Sequence, residues 1–454
     1  MKNMTTGKPL KLIFFFALPL MFGNLLQQMY TMVDAMIVGQ FVGVDALASI
    51  GGADWINWAI LGLLMGFTQG FSIRVSNCLG ANNQKDMEHA IMMSFFACLI
   101  IGIIVTIIAH LTVVPLLQLL NTPENTIKGS ILYLRIMASG SLIVIFYNCF
   151  SSILRAIGDS KTPLQAMAIA AIMNIIMDLI AVCVLHTGIM GAAVATLLSQ
   201  LFAAGYCFFR LLGELPFNFT KQSFTIDPDL LKKLLKLGMP LAFQNMIIAF
   251  GGIILQRVVN GFGFLFIAGY TATNKFYGIL EVVSISFGYA ITTFTSQNFG
   301  AKQFQRMKQG VFQANLLSVF ISVVILVLII VFGRQVLLLF ISATPQQTRI
   351  VLRYAYDYLL VMALHLPVLY ILYSYRSALQ GMENTVIPMI SGIVELIMRV
   401  SAALLLPHLI GVYGIYMAEV LSWIGAAVLL YICYRINIKK IENNNVNKEQ
   451  GESI

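Results

Sequence analysis

The chain has 454 residues, of which 59% are hydrophobic and 10% charged, with a formal net charge of +9. Soluble domains carry about 25% charged residues, so this composition excludes a soluble globular protein and is typical of a chain that crosses a membrane repeatedly. The positive charge lies in the loops between apolar segments, which argues against a nucleic-acid partner and indicates membrane topology instead.

Hydropathy predicts twelve apolar segments, each long enough to cross a bilayer as a helix of roughly 20 residues. The predicted fold class is therefore an all-α polytopic membrane protein. The first segment follows only three Lys and has no small-residue cleavage site, so we expect a membrane span there rather than a signal peptide. The predicted spans are residues 11–40, 53–79, 90–114, 128–156, 164–186, 190–212, 232–261, 267–298, 308–334, 349–380, 387–407 and 412–435.

Lys and Arg side chains collect in alternate loops, whereas loops such as 41–52, 186–190 and 262–267 contain none. Cationic loops stay on the cytoplasmic side of a membrane. We therefore expect a multi-pass protein of a bacterial-type plasma (inner) membrane with both termini in the cytoplasm. The six Cys lie inside apolar spans without metal-ligand spacing, which predicts small core residues.

The sequence is written twice. Pro19-Leu20-x-Phe22-x-Asn24 returns 221 residues later as Pro240-Leu241-x-Phe243-x-Asn245, and later motifs recur in the same order. The predicted organisation is an N-terminal six-helix lobe over 1–212, a cytoplasmic inter-lobe loop over 213–231, a second six-helix lobe over 232–436, and a polar cytoplasmic tail over 437–454. We expect this tail to be disordered.

Six spans per copy is an even number, so both copies enter the membrane in the same direction. Like-oriented repeats are related by a pseudo-two-fold axis along the membrane normal. Two such bundles leave a cleft between them that rocking can open to either side. This architecture is typical of a transporter.

Two carboxylates lie inside predicted spans of the first copy. Asp34 is about nine residues from the outer end of span one, and Asp178 and Thr196 are each about eight from the outer ends of spans five and six. At 1.5 Å per residue, all three lie ~12 Å below the outer surface. Asn174 shares a helix face with Asp178 because the two are four residues apart. The pattern predicts one site.

Carboxylate, amide and hydroxyl oxygens are ligands for Na⁺ or acceptors for protons, and no His or Cys accompanies them to favour a transition metal. A carboxylate in hydrocarbon costs at least ~2.5 kcal/mol, so it persists where it meets a cavity, an ion or a partner. Two close carboxylates require a proton or a cation between them. The alternative is that Asp34 and Asp178 only hydrogen-bond to neighbouring helices.

The second copy does not repeat this set, because Leu255, Ile397 and Ser401 stand at the matching positions. It carries other charges inside its spans, among which Glu395 and Arg399 are four apart, a spacing that favours a salt bridge. Lys275 and Glu281 either line the cleft or pair with neighbouring groups. The possible cleft-lining residues are Tyr30, Gln27, Lys275, Glu281 and Arg376.

The chain resembles the multidrug and toxic compound extrusion (MATE) transporters over about residues 8–436. The motifs that carry this resemblance are Pro-Leu-x-x-Gly-Asn in span one, followed by Asp34, and the Gly-Ala after spans two and eight. Arg155-Ala-Ile-Gly158-Asp159-Ser160-Lys161-Thr162-Pro163 after span four also matches. Asn174-x-x-x-Asp178 followed by Ala192-x-x-x-Thr196 is similar to the ion site of the DinF-like branch.

The resemblance implies that the coupling ion is coordinated by Asp34, Asn174, Asp178, Thr196 and the Ala192 carbonyl. It also implies a bend of span one near Pro19, where a helical proline removes one backbone hydrogen bond and so supplies a hinge. The NorM-like branch has an acidic residue in span seven. Ile248 stands there in this chain, so a coupling site of that kind is not expected.

The predicted function is an H⁺- or Na⁺-coupled antiporter that exports amphipathic, often cationic organic compounds by alternating access. We expect a monomer in the lipid bilayer, with no cofactor and no nucleic-acid partner. A flippase for a lipid-linked precursor is the alternative, because Arg257, Lys275, Arg376 and Arg399 offer cationic groups. An enzyme is not expected, since no nucleophile elbow, His/Glu metal pair or paired catalytic Asp motif is found.

Overall fold

The computed structural model describes residues 3–120, 122–214, 225–341 and 345–451, and all regular structure within these ranges is helical. Eleven helices of the described chain are long and apolar enough to cross a membrane, and a bent helix pair supplies the twelfth span. This confirms the predicted all-α fold class. The helices are α1 Pro9–Phe41, α2 Val44–Gly80, α3 Gln84–Leu119, α4 Glu124–Ser139, α5 Ser141–Ala156, α6 Lys161–Asp178, α7 Gly188–Glu214, α8 Pro228–Val259, α9 Phe264–Gly300, α10 Phe304–Leu338, α11 Pro345–Gly381, α12 Val386–Leu405, α13 Pro407–Ile410 and α14 Tyr413–Gly451.

The repeat is visible in the backbone as well as in the sequence. Gly43 and Gly263, which precede α2 and α9, have φ angles of 118° and 87°. Gly188 and Gly411 have φ angles of 62° and 60° near the starts of α7 and α14. Glycine adopts these conformations without a Cβ clash, so both copies turn at matching positions.

The bent pair differs between the copies. α4 and α5 meet at Gly140 with a bend of 51°. The matching part of the second copy is the continuous helix α11, which has Ala363 at the position 223 residues after Gly140. Glycine weakens a helix relative to alanine by about 1 kcal/mol, which gives the break in the first copy a local cause.

The chain divides into two compact units at places other than the predicted lobe boundary. One unit contains Phe15–Ala249, and the other contains Thr5–Phe14 together with the chain from Phe250 onward. The predicted boundary over 213–231 therefore does not coincide with the division, because the first part of α8 packs within the first unit. Most of the predicted inter-lobe loop, residues 215–224, lies outside the described residues.

Close backbone contact explains why α8 packs there. A Cβ built on Gly66 would lie 2.4 Å from the Ala242 Cα, and one on Gly70 would lie 2.3 Å from the Gly238 Cα. Asn245 Nδ2 also donates to the Gly62 carbonyl at 2.9 Å. Small residues one turn apart let two helices approach to backbone contact, so this stripe of α2 receives α8.

The predicted disordered tail over 437–454 is wrong for much of its length, because α14 continues to Gly451. Extending an existing helix needs no new nucleation. No Pro or Gly lies between the end of the apolar span and Gly451. The helix that crosses the membrane therefore extends into the polar sequence.

Candidate functional site

Three helices of the first unit bring the predicted site residues together. α1 supplies Asp34, α6 supplies Asn174 and Asp178, and α7 supplies Thr196. Asn174 and Asp178 are fully buried, whereas Asp34 and Thr196 are half-buried. The four-residue spacing on α6 places the amide and the carboxylate on one face of that helix.

Hydrogen bonds on the α7 side of the site run in one direction. Asn174 Nδ2 donates to Thr196 Oγ1 at 3.5 Å, and Thr196 Oγ1 donates to the Ala192 carbonyl at 3.0 Å. These bonds use the donors of both side chains. The Asn174 Oδ1 atom remains an acceptor without a protein donor.

The carboxylates have the same property. Asp34 Oδ1 and both oxygens of Asp178 are buried and receive no hydrogen bond from a described donor. The two carboxyl groups lie within hydrogen-bonding reach of one another. Buried polar atoms are nearly always satisfied in folded proteins, so four such oxygens in one place indicate a bound proton or cation.

The backbone of α6 changes its winding at the site. Directly after Asp178, residues Leu179–Val184 form a π-helical turn. Such wide turns are rare and occur frequently at functional sites, because they shift side chains and carbonyls out of the α-helical register. The apolar sequence Leu179–Val184 carried no signal for this turn.

An apolar cluster lies one turn beyond the carboxylates on each helix. Ile37 and Val38 of α1, Val182 of the π turn and Ala192 of α7 pack together with Ala46 of α2. On α1, these side chains lie between Asp34 and the Gly43 end of the helix. The cluster therefore shields the polar site on that side.

Two tyrosines and a further carboxylate complete the surroundings. Tyr30, one turn before Asp34, is buried, as is Tyr133 of α4. Both rings lie close enough to interact electrostatically with Asp34 and Asp178, and Tyr133 also with Asp54. Helical spacing on α1 gives a sequence signal for Tyr30. Tyr133 and Asp54 have none, because they reach the site from other helices.

The remaining predicted residues do not join this site. Pro19 lies inside α1, and the side chains of Gln27 and Lys275 are exposed on α1 and α9. Glu281 accepts a hydrogen bond from Tyr373 at 2.9 Å. Arg376 is buried in an ion pair with Glu395.

The predicted salt bridge between Glu395 and Arg399 is wrong. Glu395 pairs with Arg376 of α11, and Arg399 pairs with Glu419 of α14 at 2.9 Å. Residues four apart on one helix are close enough to interact. Both residues instead find their printed partners on neighbouring helices, which the sequence spacing cannot reveal.

A family model described as MatE matches residues 19–180 and 240–405, one segment in each copy. The chain belongs to the MATE family. A probable multidrug resistance protein of Bacillus subtilis, YpnP, is 30% identical over 344 residues, covering 75% of this chain and 76% of the relative. Another from the same organism, YoeA, is 29% identical over 344 residues, covering 73% of each. An FAD transporter of Shewanella oneidensis is 23% identical over 432 residues, covering 92% and 93%.

The MATE fold is also found in solved structures. A MOP superfamily transporter from Pyrococcus furiosus superimposes with a TM-score of 0.90 at 23% identity, covering 97% of this chain and 98% of the other. MATE proteins are multidrug efflux transporters rather than enzymes, and no cofactor is required for their activity. The protein is therefore a multi-pass membrane transporter for small molecules.

Proposed function

We propose that this MATE protein is an antiporter in which a proton or Na⁺, bound between Asp34 and Asp178, drives export of amphipathic organic compounds. The observation that carries the proposal is the group of four buried oxygens without protein donors, on Asp34, Asn174 and Asp178. Two adjacent carboxylates in a low-dielectric site cannot both remain ionised without a positive charge.

The donor set suits either ion. A proton between the two carboxyl groups would form one strong hydrogen bond. Na⁺ would take the carboxylate oxygens together with Asn174 Oδ1, and the Thr196 hydroxyl and Ala192 carbonyl lie next to them. These are oxygen ligands, as alkali cations require, and within the described residues no three His, Cys, Asp or Glu side chains are grouped for a transition metal.

Occupation changes the charge of the site, and the exchange follows from that change. Ion entry neutralises the carboxylates and stabilises the packing around them. Ion loss leaves repelling charges that favour a different arrangement. An ion shifts such an equilibrium only by the difference in its affinity for the two arrangements. We propose that Pro19 gives α1 the freedom to follow, because the Phe15 carbonyl lacks its helical N–H donor.

We further propose that the protein lies in a bacterial plasma (inner) membrane as a monomer, with both termini in the cytoplasm. The alternating distribution of Lys and Arg supports this orientation. The unfilled acceptors resemble the DinF-like arrangement, which supports coupling through the first copy.

The test is dye efflux from proteoliposomes under an imposed proton gradient or an imposed Na⁺ gradient. Ethidium efflux by the wild type under one gradient, and its loss in Asp34→Asn, is the expected result and names the ion. Asp45→Asn is the matched control, because this carboxylate is exposed and contacts only the Asn125 amide at 3.4 Å. Full activity in Asp34→Asn would refute the proposal.

A flippase for a lipid-linked precursor is the second candidate. It requires cationic groups free to bind phosphates. Two of the four candidates, Arg376 and Arg399, are neutralised by Glu395 and Glu419, which favours the antiporter. Absence of efflux under either gradient in folded wild-type protein, together with scrambling of a lipid-linked substrate, would favour the flippase.

A further inference from the structure

Five charged side chains from four helices meet inside the second unit of the described chain. Glu281 lies on α9, Arg376 on α11, Glu395 and Arg399 on α12, and Glu419 on α14. The two guanidinium groups form one ion pair each, Arg376 with Glu395 and Arg399 with Glu419. Three carboxyl groups therefore face two guanidinium groups, and one carboxyl group is in excess.

That carboxyl group belongs to Glu281. Its described side-chain partner is the Tyr373 hydroxyl, which donates to Oε1 at 2.9 Å. Lys275 lies six residues earlier on α9, on a different face of the helix, and its side chain is exposed. A carboxylate within a membrane-spanning bundle is unfavourable unless a proton or a cation neutralises it. Glu281 consequently has room for an exchangeable positive charge.

The surroundings of Glu281 favour an organic cation. Tyr277 precedes it by one helical turn, and the Tyr277 ring stacks on Trp423 with centroids 5.8 Å apart and planes inclined by 15°. The Tyr373 ring already accepts the Arg376 guanidinium at 5.5 Å from its centroid. Aromatic faces attract cations, most strongly where water is excluded. A carboxylate beside such rings combines charge with a face for apolar substituents.

We propose that Glu281, with Tyr277, Tyr373 and Trp423, binds the positive centre of permanently charged aromatic cations. This inference rests on the proposed export function and names one substrate class for it. The two Arg–Glu pairs hold α11, α12 and α14 around the site without supplying free charge. Loss of the cation leaves Glu281 to take up a proton.

Tryptophan fluorescence provides the test, because the chain has three Trp and one of them stacks in the site. In a Trp55→Phe/Trp58→Phe background, Trp423 is the single reporter. Titration of purified protein with tetraphenylphosphonium is expected to change its emission saturably. Glu281→Gln in the same background is expected to weaken this binding at least tenfold, while binding of uncharged triphenylphosphine oxide is unchanged.

Two comparisons make the outcome decisive. Glu442→Gln, which removes the carboxylate of a half-exposed ion pair with Lys308 in the same unit, is expected to bind tetraphenylphosphonium as the parent does. If Glu281→Gln does not fold, Glu281→Asp and Tyr277→Leu replace it, and both are expected to weaken the cation selectively. Wild-type affinity in these variants, or equal loss of the charged and uncharged ligands, would overturn the proposal.

The result is separable from the test of the antiporter. Asp34→Asn is expected to keep tetraphenylphosphonium binding while it loses gradient-driven efflux. Absence of efflux under any gradient would refute the antiporter, yet selective cation binding through Glu281 would still stand. Selective efflux without any effect of Glu281→Gln would refute only the cation site.

Discussion

The first unit leaves its buried carboxylates without protein partners, whereas the second unit pairs two of its three with arginines. Asp34 and Asp178 face each other and lack donors. Glu395 and Glu419 each hold a guanidinium. Removing one partner of a buried ion pair strands the other charge, but removing one of two like charges relieves repulsion. Burial of acidic groups therefore serves ion exchange in one region and structure in the other.

Glu395→Ala is the change with the largest expected effect on stability. It leaves the buried Arg376 without its counter-ion, so we expect a loss of about 3–5 kcal/mol in the free energy of unfolding. Thermal unfolding in detergent measures this loss. The double change Glu395→Leu/Arg376→Met is expected to recover most of it, and Glu442→Ala at the half-exposed pair is expected to cost about 0–1 kcal/mol. An unaltered Glu395→Ala would remove the distinction between the units.

Gly66→Ala tests whether the first unit depends on close packing rather than on its polar site. The added Cβ would meet the backbone of Ala242 at 2.4 Å. We expect a loss of about 1–3 kcal/mol from overpacking. Gly205→Ala on α7 is the matched control, since no atom lies within 4 Å of its Cβ position. That control is expected to gain up to about 1 kcal/mol from helix propensity. Equal stability of the two variants would count against close α2–α8 packing.

Asp178→Asn inverts the expectation for Glu395→Ala. It removes one of two mutually repelling charges, so the free energy of unfolding is expected to be unchanged or to rise by about 1 kcal/mol. Gradient-driven efflux is nevertheless expected to fall at least tenfold. Parallel thermal unfolding and proteoliposome assays measure both. A variant that lost stability like Glu395→Ala would show that Asp178 has a structural role.

Thr196→Val is expected to have the smallest effect. It keeps the side-chain shape and removes the hydroxyl that accepts from Asn174 and donates to Ala192. Loss of such a hydrogen bond costs about 0.5–1.5 kcal/mol. If Na⁺ is the coupling ion, half-maximal efflux should require more Na⁺, and Thr196→Ser should restore the wild-type value. An unchanged ion requirement in Thr196→Val would exclude the hydroxyl from the ion site.

Hydrophobic runs determined the twelve spans, because only a helix of that length satisfies its backbone inside a bilayer. The duplicated motifs determined that two copies are present. Helical periodicity placed Asn174 beside Asp178, and depth counting brought Asp34 and Thr196 to the same level. The sequence by itself therefore supplied the fold class and the residues of the candidate ion site.

Only the tertiary structure decided which polar groups meet across helices. Arg376 and Arg399 take partners on helices distant in sequence, Tyr133 reaches the ion site from α4, and the first part of α8 packs on the glycine stripe of α2. The physical reason is that periodicity fixes the face of a side chain on its own helix. The rotation and spacing of neighbouring helices depend on packing, and these determine which faces come into contact.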